Sequence, residues 1–195
     1  NPTGTANSAA EIIQFVESLP DHVIFCLDEA YAEYLQDPPD IRPFIKQGKK
    51  VLAMRTFSKI HGLAGLRIGY GYGNEELIEL LQKARQPFNV NSIAQASAIA
   101  ALEDKDWVAQ CRKRNLDGLK QMATGLENLN LEYIRSKANF LMIKVGDGQA
   151  IFHSLQTLGI ITRPMPQSLK EFIRISIGTE EENFQALTAL KQVLS

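Results

Sequence analysis

A continuous apolar run at residues 23–27 constrains the fold of this chain more than any other feature. The run contains β-branched and aromatic side chains, and it stops abruptly at Asp28 and Glu29. A strand without a polar face is typical of a parallel sheet that is covered on both sides. We therefore expect residues 23–27 to form a strand buried on both faces, with Asp28 at its carboxyl end.

Strand and helix patterns alternate along the rest of the chain. Short apolar runs predict further strands at residues 50–55, 66–72, 131–134, 140–145, 160–163 and 172–177. Apolar residues at helical spacing predict one helix capped by Asn7 or Ser8, with Glu11 in its first turn, and another from Asn74. The same spacing predicts helices at residues 92–102, 106–129, 149–158 and 180–194. This alternation predicts an α/β fold.

The longest helical pattern covers residues 106–129. Its apolar positions, which include Trp107, Leu116 and Met122, are expected to face the core. Because this helix leads into a second, smaller α/β layer, we place a domain boundary near Glu103. Residues 1–102 then form one domain and residues 103–195 the other.

Composition excludes several classes of protein. With 195 residues, 45% hydrophobic and 22% charged, the chain has a globular balance rather than a disordered, collagen-like or coiled-coil one. A formal net charge of −1 without long charged blocks predicts neither nucleic acid nor a membrane surface as a partner. Two cysteines, Cys26 and Cys111, predict a reducing, cytoplasmic location, and the dispersed histidines predict no metal site.

Four short stretches combine turn residues with reactive side chains. They lie at residues 1–4, at residues 28–31, at residues 56–59 followed by Arg67, and at residues 172–178, which contain Arg174. In open α/β sheets, ligands collect beyond the carboxyl ends of the strands, so three of these stretches are positioned to converge on one pocket. Together they supply an amine, hydroxyls, a guanidinium, a carboxylate, a phenol and an amide.

The order and spacing of these motifs resemble those of the fold-type-I pyridoxal-phosphate aminotransferases, in the segments NPTGT, DEAY and TFSKIHGLAGLRIGY. Three later segments resemble the histidinol-phosphate aminotransferase branch, namely PFNVNSIAQ, GIITRPM and FIRISIGT. The resemblance implies that residues 1–102 are the C-terminal part of the large cofactor-binding domain, a mostly parallel sheet with helices. It implies that residues 103–195 are the small C-terminal α/β domain, and that the full-length protein is a homodimer.

The resemblance also assigns the residues around the cofactor ring. Lys59 binds pyridoxal phosphate covalently and then acts as the base that moves the substrate's α-proton. Asp28 is expected to be a buried carboxylate that stabilises the protonated pyridine nitrogen, with a helix N-cap as the alternative role. Tyr31 and Asn1 are expected to hydrogen-bond the phenolate oxygen, or else to be a core tyrosine and a loop cap. Glu29 is expected to be exposed or structural.

The cofactor phosphate has its own predicted cup. The resemblance assigns it to Thr56, Ser58 and Arg67, because two hydroxyls and a permanently charged, two-pronged donor suit a phosphate. For Arg67 the alternative is a salt bridge on the surface of a strand.

Substrate contacts are expected from three further residues. Arg174 lies between apolar neighbours in a predicted strand, where a guanidinium needs an anionic partner. That partner is the substrate's carboxylate or phosphate, or an internal ion pair. Arg163 is a second candidate for the same anion, or a solvated loop arginine, and Asn91 is a candidate at the pocket mouth. His61 is expected to be structural, since Lys59 already supplies the base.

Three functions are open at this point. The first is transamination between histidinol phosphate and 2-oxoglutarate in histidine biosynthesis. The second keeps the cofactor but is a phenylalanine aminotransferase or a threonine-phosphate decarboxylase. The third is a non-catalytic fragment that binds no cofactor. Since the resemblance implies a missing amino-terminal half, we expect the 195 residues alone to be an inactive truncated fragment.

Overall fold

The computed structural model describes residues 1–194, which divide into two compact units. One unit comprises Asn7–Gln110, and the other comprises Asn1–Ala6 together with the chain from Cys111 onward. The division falls inside the long helix predicted at residues 106–129. The functional assignment of residues 1–102 and 103–195 to two domains stays a prediction.

The unit Asn7–Gln110 contains a three-stranded sheet in the order β1-β2-β3. Its strands are β1 (Phe25–Asp28), β2 (Val51–Thr56) and β3 (Gly69–Gly73). Strand β1 pairs with β2 in parallel, and β3 pairs with β2 antiparallel. The helices are α1 (Ala9–Ser18), α2 (Arg42–Lys46), α3 (Glu75–Ala84), α4 (Ser92–Glu103) and the start of α5 (Lys105–Asn128). Each was predicted except α2, for whose segment no helix was predicted.

One face of this sheet carries the core of the unit. Val16 of α1 and Phe44 of α2 pack against Val51 and Ala53 of β2, with Phe25 and other partly buried side chains around them. The opposite face of β1 is open among the described residues, because Ile24 is 59% exposed and Cys26 is exposed. The prediction that residues 23–27 are buried on both faces is therefore wrong. The physical reason is that α1 and α2 cover only the Phe25 face, and β1 ends the described sheet.

Side chains provide hydrogen-bond partners for free backbone groups at both ends of α1. Ser8 is the N-cap, and its hydroxyl accepts from the Glu11 N–H at 3.2 Å while the Glu11 carboxylate accepts from the Ser8 N–H at 2.7 Å. At the other end, Lys49 Nζ donates to the carbonyl oxygens of Val16, Glu17 and Leu19 at 3.1, 3.2 and 3.3 Å. The last carbonyls of a helix have no partner within the helix, and a cation there also complements the helix dipole. The predicted start of the helix is confirmed, whereas Lys49 was not anticipated.

Replacing Lys49 with methionine should destabilise the protein by about 2 kcal/mol, because it keeps the aliphatic stem and removes a charged donor shared by three carbonyls. The free energy of unfolding from urea titration measures this loss. The matched control is Lys120→Met, which changes an exposed lysine of α5 and should alter stability by less than about 0.5 kcal/mol. Equal effects of the two substitutions would contradict a capping role for Lys49.

The second unit contains a four-stranded sheet in the order β4-β5-β7-β6, with every pairing antiparallel. Its strands are β4 (Tyr133–Ile134), β5 (Phe140–Lys144), β6 (Arg163–Pro164) and β7 (Phe172–Ser176). The remainder of α5, α6 (Gly148–Thr157) and α7 (Glu180–Leu194) complete it. The core is formed by Met122, Leu126, Leu141, Ile143, Leu155, Ile173, Ile175, Ala186, Ala189 and Leu190.

Two predictions about this region need correction. The strand predicted at residues 160–163 is limited to Arg163–Pro164, and Ile161 is 80% exposed, so the apolar pattern there does not mark a buried strand. On α5, Met122 is buried as predicted, but Trp107 and Leu116 are 43% and 47% exposed. Apolar residues on a long helix therefore overstate the width of its buried face. No helix within residues 1–194 is both long enough and apolar enough to cross a membrane.

Candidate active site

The carboxyl ends of β1 and β2 bring two of the reactive stretches to one edge of the sheet. Their parallel register pairs Asp28 with Met54, so the segment that follows β2 lies beside the segment that follows β1. Asp28 is exposed among the described residues, and its Oδ1 accepts from the Ala30 N–H at 2.9 Å. The expected burial of Asp28 is therefore wrong, for the same reason as the open face of β1. Its role toward a cofactor stays a prediction.

Lys59 and Tyr31 meet at this edge. The Lys59 Nζ lies 5.6 Å from the centroid of the Tyr31 ring, within the range of a cation–π interaction. Both side chains are half-buried. An amine and a phenol from two different stretches of the sequence thus face each other, as the motif spacing suggested.

Arg67 and two hydroxyl residues form a second group of donors. The Arg67 Nη1 donates to Ser58 Oγ at 3.3 Å and to the Ala64 carbonyl at 2.9 Å. The Thr56 Oγ1 accepts from the Ser58 N–H at 3.0 Å, which turns the chain directly after β2. The predicted phosphate-cup residues therefore lie close together, and their role stays a prediction.

The backbone at Arg67 differs from the predicted strand. Arg67 has φ of 51°, in the left-handed region, and follows a 3-10 turn at Ala64–Leu66. A side chain in that region costs roughly 1–2 kcal/mol, and strand pairing begins only at Gly69. The strand predicted at residues 66–72 is therefore shorter. Arg67 therefore lies outside β3, and its predicted contact with the cofactor phosphate stays a prediction.

The loop that carries Lys59 is closed by its own backbone. The Phe57 N–H donates to the Ile68 carbonyl at 3.2 Å, and the Leu63 N–H donates to the Phe57 carbonyl at 2.9 Å. The Gly62 N–H donates to the Lys59 carbonyl at 2.9 Å, and Gly62 has φ of +71°, where a Cβ would be strained. Three main-chain hydrogen bonds therefore close the loop that presents Lys59.

A buried charge network lies directly behind this edge, and sequence reasoning missed it. Glu29 is 3% exposed, and its Oε2 accepts from Arg55 Nε at 2.7 Å and from the Tyr72 hydroxyl at 2.8 Å. Arg55 Nη1 also lies 3.6 Å from a Glu33 carboxylate oxygen. Since Glu29 follows Asp28 and Arg55 precedes Thr56, the network ties together the two segments that carry the candidate site. Glu29 is therefore structural, which was one of the two roles expected for it. The other expectation, that Glu29 is exposed, is wrong.

The network changes the pKa values of two of its members. Burial and the hydrogen bond to Glu29 raise the pKa of Tyr72 to about 12, because both disfavour the phenolate. Burial by itself would lower the pKa of Arg55, but the hydrogen bond and the negative charge of Glu29 outweigh it, and the pKa is raised. Both groups therefore keep their protons at neutral pH.

The unit that includes Asn1–Ala6 holds three further predicted residues, Asn1, Arg163 and Arg174. Arg174 is half-buried on β7, its guanidinium lies 4.5 Å from the centroid of the Phe140 ring, and its Nη1 donates to Asn1 Oδ1 at 2.9 Å. Arg163, on β6, is the direct cross-strand partner of Arg174 and is exposed. Two guanidinium groups therefore sit on neighbouring strands. The predicted contact of Asn1 with a cofactor stays a prediction.

Asn91 and His61 have local structural roles. Asn91 is the N-cap of α4, and its Oδ1 accepts from the Ala94 N–H at 2.8 Å. The His61 ring packs 5.1 Å from the Phe57 ring, and its Nδ1 is buried without a hydrogen-bond partner among the described residues. The suggested substrate contact of Asn91 stays a prediction.

A family model described as aminotransferase class I and II matches residues 1–190. The chain therefore belongs to this family, which confirms the predicted family and α/β fold class. The histidinol-phosphate aminotransferase of Akkermansia muciniphila is 43% identical over 195 residues, covering all of this chain and 54% of that protein. This chain thus spans about half the length of the curated relatives that it matches.

Solved structures agree with this assignment. Histidinol-phosphate aminotransferase from Sinorhizobium meliloti, in complex with pyridoxal-5'-phosphate, superposes with a TM-score of 0.88 at 30% identity, covering 100% of this chain and 55% of that one. L-threonine-O-3-phosphate decarboxylase from Porphyromonas gingivalis superposes with a TM-score of 0.87 at 21% identity, covering 100% of this chain and 62% of that one. The second likeness supports the fold alone.

Proposed function

We propose that the protein works as a pyridoxal-phosphate-dependent aminotransferase that moves an amino group between histidinol phosphate and 2-oxoglutarate. The observation that carries this proposal is the approach of the Lys59 amine to the Tyr31 phenol at the edge of the sheet, with the Arg67–Ser58 donors in the same loop. The match of the chain to the aminotransferase family and its 43% identity to a histidinol-phosphate aminotransferase support it.

The side chains fit pyridoxal phosphate by the chemistry of their donors. A primary amine suits its aldehyde, a carboxylate suits its pyridine nitrogen, and a phenol suits its ring oxygen. These groups are Lys59, Asp28 and Tyr31. Arg67, Ser58 and Thr56 would hold the phosphate, since a guanidinium and hydroxyls give short, charge-assisted hydrogen bonds. When bound, the cofactor supplies an electron sink for the charge that develops as the substrate's α-proton leaves.

The chain's own residues then have distinct tasks. Lys59 Nζ, once free, takes up the proton from the substrate's α-carbon, and its half-buried position limits competing water. Asp28 would pair with the pyridine nitrogen and so keep it protonated. Tyr31, whose ring lies beside Lys59, would donate its hydroxyl hydrogen bond to the ring oxygen. The fixed loop from Phe57 to Ile68 keeps the amine and the phosphate donors in one arrangement.

The proposed substrate site uses the two arginines of the second unit. Arg163 and Arg174 are direct partners across β6 and β7, so their permanent charges are available for one anionic group. That group is the phosphate of histidinol phosphate, or a carboxylate of 2-oxoglutarate in the other half-reaction. Stacking on Phe140 orients Arg174 without neutralising it.

A panel of three amino donors tests the proposed reaction. With 2-oxoglutarate as acceptor, we expect histidinol phosphate to be consumed in preference to phenylalanine, and threonine phosphate to release no carbon dioxide. Arg174→Gln should lower kcat/KM for histidinol phosphate roughly ten- to hundredfold, the effect of losing a charged hydrogen bond. The control is Arg114→Gln, an exposed position on α5. Preference for phenylalanine, or release of carbon dioxide from threonine phosphate, would contradict histidinol phosphate as the substrate.

The proposal also includes a homodimer in the cytoplasm. Large apolar side chains are exposed along the segment before and within α4, including Phe88 at 99%, Ile93 at 70% and Ile99 at 62%. Large exposed apolar side chains concentrated in one segment support self-association. Cys26 is an exposed thiol outside any disulfide, which supports a reducing compartment.

A further inference from the structure

Trp107 reaches the Lys59 loop from outside it. Its indole Nε1 donates to the Ile60 carbonyl at 2.9 Å, across 47 positions of sequence. Ile60 directly follows Lys59 and is 2% exposed. The indole therefore holds the peptide group that joins the residue after Lys59 to His61. This bond was not anticipated, because the spacing of α5 placed Trp107 among core residues.

The backbone of Trp107 is itself capped at the start of α5. The Asp104 Oδ1 accepts from the Trp107 N–H at 2.9 Å, just before the first residues of α5. Trp107 is thus bound at two points, its backbone N–H to Asp104 and its indole N–H to the Ile60 carbonyl, which restricts its position. The backbone bonds that close the loop at Phe57, Gly62 and Leu63 come from within the loop or from Ile68.

We propose that Trp107 is a positioning residue for Lys59, which fixes the direction of the lysine by anchoring the Ile60 carbonyl. This inference rests on the proposed function, since Lys59 needs a fixed direction only if it acts on a substrate. A lysine that must meet both a cofactor aldehyde and a substrate α-proton tolerates little misplacement. Trp107 touches neither of them and acts through the loop.

The test compares Trp107→Phe, which keeps an aromatic ring and removes the donor, with Leu116→Ala, an exposed apolar position on the same helix. Hydrogen exchange in the cofactor-free intact protein is measured first. In Trp107→Phe the amides of Gly62 and Leu63 should exchange about five- to tenfold faster, as expected for the loss of one hydrogen bond. Exchange in β5 should be unchanged, and Leu116→Ala should leave the loop as in the parent.

Steady-state kinetics of the loaded enzyme provide the second measurement. In Trp107→Phe we expect kcat to fall about five- to tenfold with KM for the amino donor within about twofold, because Lys59 acts after the donor has bound. Unchanged loop exchange would overturn the proposal, whatever the protein catalyses. Faster exchange with unchanged kcat would also overturn it, since the bond would then be merely structural. A parent protein that transaminates no donor would instead refute the proposed function, and this result is read independently of the exchange data.

Discussion

Replacing Lys59 with alanine is expected to reduce transamination by about 10²–10⁴-fold or more, the range typical of a lost general base. The amine is the one group of the proposed site that must both bind the cofactor covalently and move a proton. Its removal leaves the backbone bonds of the loop intact, since Phe57, Gly62 and Leu63 donate through main-chain N–H groups. The fold should therefore persist, and circular dichroism and steady-state turnover measure the two effects separately.

The control for this substitution is Lys83→Ala, an exposed lysine in the last turn of α3. Borohydride reduction of the cofactor-loaded parent, followed by peptide mapping, should place the covalent label on Lys59 and not on Lys83. A label on another lysine, or full turnover in Lys59→Ala, would remove the basis of the proposed mechanism.

Replacing Glu29 with alanine should have the largest effect on stability, about 3 kcal/mol, because it leaves Arg55 and the Tyr72 hydroxyl without their shared acceptor. This value is at the lower end of the usual cost of breaking a buried ion pair. The Arg55 side chain is 27% exposed, so water partly compensates for the lost partner. The free energy of unfolding in urea at neutral pH measures this loss.

Two comparisons define the Glu29 experiment. Glu17→Ala removes an exposed carboxylate of α1 and should change stability by less than about 0.5 kcal/mol. Tyr72→Phe removes one hydrogen bond to the carboxylate and should cost about 1.5 kcal/mol. If Glu29→Ala were no worse than Glu17→Ala, the buried network would not stabilise the fold.

The same network predicts a dependence on alkaline pH. The pKa of Tyr72 is raised from 10.0 to about 12, so the folded state favours the protonated phenol. Its contribution is complete below pH 10 and is lost as the pH rises through 12. Tyr72→Phe should lack this particular loss of stability.

Local chemistry made the helix ends predictable. Ser8 with Glu11, and Asn74 at the start of α3, accept hydrogen bonds from backbone N–H groups three residues further on or close a capping box. The spacing of the motifs also placed Lys59 and Tyr31 correctly at one edge of the sheet.

Features that depend on distant partners were not predictable in the same way. Glu29 and Arg55 are 26 positions apart, and their pairing depends on the register between β1 and β2. Period-two alternation puts Glu29 on the same side as the apolar Leu27, which was the available signal. The left-handed backbone of Arg67 and the outward position of Trp107 follow from tertiary packing, which a propensity pattern does not contain.

The direct pairing of Arg163 with Arg174 has a thermodynamic consequence. Like charges at opposite positions of an antiparallel pair repel each other, so this sheet is less stable without a counter-ion than its hydrogen bonds alone would make it. An anion that engages both guanidinium groups relieves that repulsion and is bound more tightly for doing so. If the proposed substrate site binds such an anion, linkage predicts that the free energy of unfolding of this unit rises with the concentration of the anion.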